Sequence, residues 1–147
     1  MKEEQVEKGL EEFENKYNLW DFKSFFKGNI EEIRRCMEEL DTYEKAFLYS
    51  IASYVGYDDC CLKFDNGVEL TFEKMVEISG ISKGKLSGVI QGLIKKDILY
   101  KGKNSNTTQY FVNPFIFCKG NRINKVLKRM FGNYRIKSKN NIRWKDL

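Results

Sequence analysis

Histidine is absent from this chain, and with it the usual base of a Ser–His or Cys–His dyad and the commonest metal ligand. The four cysteines, Cys36, Cys60, Cys61 and Cys118, never form a CxxC pair. Adjacent Cys60 and Cys61 frame neither a disulfide nor a zinc site, so buried or half-buried free thiols are expected. Glycine-rich phosphate loops are missing, because the run from Gly80 to Lys85 does not have P-loop spacing. These absences argue against an enzyme, and no cofactor or metal is expected. No stretch of about 18 apolar residues occurs, which excludes a transmembrane helix from the expected architecture. The first residues are acidic and amphipathic rather than an apolar signal region, which suggests an intracellular protein. Proline occurs once, at Pro114, and no Gly-, Pro- or Ser-rich linker divides the 147 residues, a length suited to one hydrophobic core.

Acidic residues are scarce in the second half. From Lys83 to Leu147 there are 16 Lys/Arg and only two acids, Asp97 and Asp146, whereas residues 1–60 carry 8 Lys/Arg against 15 Asp/Glu. The formal net charge of +5 conceals this division. A strongly cationic half is the electrostatic footprint of a phosphate-binding surface.

The acidic half reads as helical. Val6, Leu10, Phe13 and Tyr17 recur at helical spacing, and Trp20, Phe22, Phe25 and Phe26 form an aromatic cluster. Asn29 with Glu32, and Asp41 with Glu44, make two candidate capping boxes. The first opens a helix with Ile30, Ile33, Met37 and Leu40. The second opens one with Tyr43, Ala46, Phe47, Ser50, Ile51 and Tyr54 on one side, ending near Gly56. Asn66-Gly67, between Leu62/Phe64 and Val68/Leu70, predicts a hairpin with a type I′ turn.

Thr71 then caps a short helix with Phe72, Met75, Val76 and Ile78 inward, Gly80 ends it, Ile81 fills the turn and Ser82 caps the next helix. Leu86, Val89, Ile90 and Leu93 form the apolar stripe of that helix, over 83–96. Two strands, 98–101 and 109–112, flank a polar loop over 102–107, and Asn113-Pro114 stops the second. A last helix from about Arg122 to Phe131 has Ile123, Val126, Leu127, Met130 and Phe131 on its apolar face. Residues 132–147 are basic and aperiodic and read as a mobile tail. The expected fold is mainly α with small β-hairpins: a winged helix-turn-helix with extra N- and C-terminal helices. It divides into an acidic helical region (1–56), the winged core with the following helix (57–131) and the basic tail (132–147).

A winged helix-turn-helix places its second helix in a major groove and its hairpin along the backbone or minor groove of duplex DNA. The front of helix 83–96 offers Lys83, Gly84, Lys85, Ser87, Gly88, Gln91, Gly92 and Lys95. Gln can pair bidentately with adenine, Ser bonds either base type, and Lys reaches phosphate or guanine. Each glycine costs ~1 kcal/mol of helix propensity relative to Ala. Such a stripe suits a face that must approach DNA closely, although a weakly specified surface or a helix-packing face would look the same. The wing supplies Lys101, Lys103, Asn104, Asn106, Thr107, Thr108 and Gln109, and the last helix adds Arg122, Lys125, Lys128 and Arg129. The tail interleaves bases with Tyr134 and Trp144, as a phosphate-binding arm or a solubilising end would. The N-terminal helices either complete the core or pair two subunits.

Leu70-Thr71, Ile81-Ser82-Lys83 and the run Leu93 to Leu99 resemble the MarR-type winged-helix pattern. The continuation, Tyr110-Phe111-Val112-Asn113-Pro114, then Phe115-Ile116-Phe117 and Lys119-Gly120, resembles the segment after the wing in RepL-type replication proteins of Firmicute plasmids. The resemblance spans about residues 43–131 and implies a DNA-binding protein of a plasmid, phage or other mobile element in the bacterial cytoplasm. It implies an origin-binding replication protein with double-stranded DNA and a replication-machinery protein as partners. The alternative is a MarR-like transcriptional regulator acting as a homodimer.

Overall fold

The computed structural model describes residues 26–120 and 122–147. The amphipathic run of Val6, Leu10, Phe13 and Tyr17 and the aromatics Trp20, Phe22 and Phe25 lie outside the described residues. Among the described residues there are five helices and three two-stranded antiparallel sheets, a mixed α/β chain with small hairpins. The helices are α1 (Ile30–Met37), α2 (Thr42–Ile51), α3 (Phe72–Ser79), α4 (Lys83–Lys95) and α5 (Lys125–Phe131). The strands pair as β1 (Lys27–Gly28) with β4 (Phe117–Cys118), β2 (Leu99–Asn104) with β3 (Thr107–Val112), and β5 (Arg135–Ile136) with β6 (Ile142–Arg143).

The two candidate capping boxes differ. At α2 the box is complete: Glu44 N donates to Asp41 Oδ1 at 2.8 Å, and Asp41 N to Glu44 Oε1 at 3.0 Å. At α1 only half forms, since Glu32 N donates to Asn29 Oδ1 while the Glu32 carboxylate turns into the core. The inward face of α2 is Phe47, Leu48 and Ile51, all fully buried; Tyr43 and Ala46, expected inside, are exposed. The Tyr43 ring instead lies under the Lys85 ammonium of α4, 4.3 Å from its centroid.

The Asn66-Gly67 turn is not type I′. Gly67 N donates to Phe64 O and Phe64 N to Val68 O, so the loop holds three residues. Gly67 takes the left-handed conformation (φ 87°), and Asn66 has no positive φ. This is the hairpin form in which a glycine follows the tight turn. Just before it, Leu62 N donates to Tyr110 O and Val112 N to Cys60 O, laying residues 60–62 antiparallel beside β3.

Thr71 caps α3 through Lys74 N, and Gly80 ends it in the left-handed region (φ 70°). Ser82 occupies the cap position of α4 but makes no side-chain cap bond. Leu86, Val89, Ile90 and Leu93 are buried, with Ile81 filling the turn ahead of them. The β2–β3 ladder runs from Leu99↔Val112 to Asn104↔Thr107, leaving only Ser105 and Asn106 as the connection. The expected loop over 102–107 is therefore largely strand. Both faces of its outer part are polar, so alternation could not reveal it. Buried Asn113 then joins the two ends of the hairpin: its N–H donates to Ile98 O, Nδ2 to Asp97 O, and Oδ1 accepts from Phe115 N.

Helix α5 begins at Lys125 rather than Arg122, capped by Asn124, whose Oδ1 accepts from Val126 N. Leu127 and Phe131 anchor it, whereas Ile123 and Val126, expected on the apolar face, are exposed. The expected mobile tail folds onto the body instead. Tyr134 and Ile136 are buried; Tyr134 stacks on Phe115, and Trp144 meets that ring edge-on at 5.0 Å. Tyr134 Oη, Lys137 N and Ser138 N all donate to the buried Glu32 carboxylate. Cys36, Cys60 and Cys61 are buried free thiols and Cys118 is half-buried. Burial raises Cys60 to about 12 and Cys61 to about 11, so both stay protonated.

Candidate nucleic-acid interface

Burying one stripe of α4 leaves the opposite face outward by helical geometry. Lys83, Gly84, Lys85, Ser87, Gly88, Gln91 and Lys95 are all exposed. Among the described residues a Cβ on Gly84 or Gly88 would meet nothing within 4 Å, so neither glycine is needed for packing against them. Gly92 departs from this stripe. Its Cβ would lie 2.8 Å from Glu44 Oε2, turning it toward α2 rather than the open face.

Glu44 cannot easily yield. Its carboxylate is buried, bound to the α2 cap, and takes the Lys96 ammonium at 2.6 Å just past the end of α4. This one side chain thus ties α2 to the C-terminal end of α4. Gly92→Ala is expected to disturb it: overpacking of about 1–3 kcal/mol outweighs the ~1 kcal/mol of recovered propensity. Urea denaturation should register a net loss, and a stabilised variant would refute this contact.

The hairpin exposes Lys101, Lys103, Asn104, Asn106 and Thr107. Thr108 is half-buried, and Gln109 is committed to Glu69 Oε1 at 3.0 Å. Alternation gives the ribbon two sides. Lys101 and Lys103 share one with their partners Tyr110 and Thr108. Tyr110 has its phenol pushed up by burial and then by the Glu73 carboxylate of α3. On the other side Tyr100 reaches Phe131 of α5, ring centroids 6.2 Å apart. Helix α5 therefore meets the side of the hairpin opposite the one that carries Lys101 and Lys103. The outward residues of α4 and the two wing lysines are exposed, as are Arg122, Lys125 and Arg129 in and just before α5.

Of the sixteen cations from Lys83 onward, three are in ion pairs: Lys96 with Glu44, Lys137 with Glu39 and Arg143 with Asp146. The other thirteen have no carboxylate partner among the described residues. Lys145 belongs to the basic tail that the sequence suggests as a phosphate-binding arm or a solubilising end. It joins Lys125, Lys128 and Arg129 around one cleft, and only the unexpected folding of the C-terminal segment brings it there. Among the described residues no helix is long and apolar enough to cross a membrane. Comparison with protein-family models, curated proteins and solved structures gives no match for this chain.

Proposed function

We propose that this chain is a sequence-specific, double-stranded-DNA-binding protein of the winged helix-turn-helix class, with α4 as its recognition helix and β2–β3 as its wing. The observation that carries this reading is the exposed face of α4. It presents Ser87 and Gln91 beside two glycines with open space over them, and no acid within the helix opposes its lysines. The element order supports it: α2, the 60–62 strand, α3, α4, then a hairpin whose inner strand pairs back to 60–62. The segment after the wing favours an origin-binding replication protein that recruits a partner protein. A homodimeric transcriptional regulator is the second reading, favoured by the exposed Ile30 and Tyr49 on the helical side, apolar surface suited to a subunit contact. A binding site inside a replication origin supports the first; a promoter site that alters transcription without altering copy number supports the second.

Duplex binding should fall steeply with salt. With ~6 phosphates neutralised, the log–log slope approaches about −5, and a slope near zero removes the electrostatic basis of the proposal. Gln91→Ala should cost roughly 1–3 kcal/mol at the preferred site and relax discrimination there. Lys103→Ala should weaken all sequences alike and make the slope shallower. Competition titrations with specific and random duplexes separate the two, and equal losses on both for Gln91→Ala would reassign the reading face.

A further inference from the structure

A second cationic cluster is built from α5 and the C-terminal segment, with no α4 residue in it. Lys125, Lys128 and Arg129 of α5 converge with Lys145 around an open cleft of about 490 Å³, completed by Gly132 and Asn133. Among the described residues no carboxylate lines it and none of the four cations is in an ion pair. The cleft has a firm base: α5 is anchored through buried Leu127 and Phe131, and Lys145 N donates to Gly132 O at 2.9 Å, fixing the two chain segments side by side. Four like charges held together repel one another, a cost that a bound polyanion relieves.

The cleft is lined by no residue of α4 or the wing, and α5 meets the side of the β2–β3 ribbon opposite Lys101 and Lys103. We propose that the cleft takes the phosphate backbone of a second DNA duplex, so that one molecule holds two duplex segments at once. This rests on α4 as the first duplex site. The contact is to backbone: three lysines and an arginine around a wide, shallow opening match phosphate oxygens and carry no fixed donor–acceptor pattern for base edges. The second site is therefore indifferent to sequence.

The test is stoichiometry. With a short duplex in excess at low salt, sedimentation should find two duplexes per protein monomer. The triple variant Lys125→Glu/Lys128→Glu/Arg129→Glu should hold one, with melting temperature and sequence preference retained, since all three side chains are exposed. Its total salt slope should be shallower by about 2–3, one counterion per lost contact. Gly88→Leu should also reduce two duplexes to one, but leave the sequence-indifferent one. Wild-type protein saturating at one duplex, with the triple variant unchanged, overturns the second site and leaves α4 standing. A single duplex lost in the triple variant and retained in Gly88→Leu overturns the α4 reading instead. Two duplexes bridged only by protein dimers overturns the proposal that one molecule suffices.

Discussion

Replacing Gly88 by leucine is expected to separate stability from DNA affinity. A Cβ added at Gly88 meets nothing within 4 Å among the described residues, so the leucine starts out into open space. Removing a helix-interior glycine should return about 0.5–1 kcal/mol, less the cost of exposing a leucine. On DNA the leucine carbons fall where a base edge or phosphate would lie. Affinity for the preferred site should drop toward that for random DNA, a loss of about 4 kcal/mol or more. Thermal melting and DNA titration of the same preparation read both effects. A variant that melts early but binds normally in its folded fraction would defeat the groove assignment.

The second large effect concerns the carboxylate that turned away from its helix cap. Glu32 is fully buried and accepts from Tyr134 Oη, Lys137 N and Ser138 N. Glu32→Ala strands all three donors and should cost on the order of 3–5 kcal/mol, a large share of a typical domain's stability. Tyr134→Phe removes one donor and should cost roughly 1.5–3 kcal/mol. Burial alone would raise the Glu32 pKa, but the hydrogen bonds from Tyr134, Ser138 and Lys137 outweigh it and hold it below 4.5. A depressed carboxyl stabilises fully above its unfolded pKa, and that contribution fades as pH falls through the folded value. Docking of residues 132–147 should therefore persist at neutral pH and loosen only in acid below 4.5. Trp144 fluorescence in a Trp20→Phe background reports it. An unchanged urea midpoint for Glu32→Ala would show that these bonds do not hold the segment.

What the sequence revealed and what it concealed divide by the range of the interactions. The α4 stripe, the Gly80 stop, the Thr71 cap and the Asp41–Glu44 box depend on neighbours within a turn or two, and all could be read directly. Asn66-Gly67 marked a turn, but loop length decided which residue took the positive φ. Gly92 looked like Gly84 and Gly88 because helical periodicity carries no word of Glu44 on another helix. The tail was illegible for the same reason. Ile136 and Tyr134 have no local period, and the partners of Tyr134, namely Glu32, Cys36 and Phe115, are distant in the chain. Charge asymmetry located the cationic half but could not show that Lys145 gathers with Lys125, Lys128 and Arg129 at one cleft.

The bond from Lys137 to Glu32 closes over 105 positions. A ribosome adding about 5–20 residues per second needs roughly 5–20 s to cover that interval. Throughout it, α1 has its carboxylate but none of the three donors that allow it to be buried. Residues from α2 through β3 carry their own cap, hairpin and apolar contacts and can assemble meanwhile. The nascent chain is thus built to fold from its middle outward, with α1 the earlier made and the later seated.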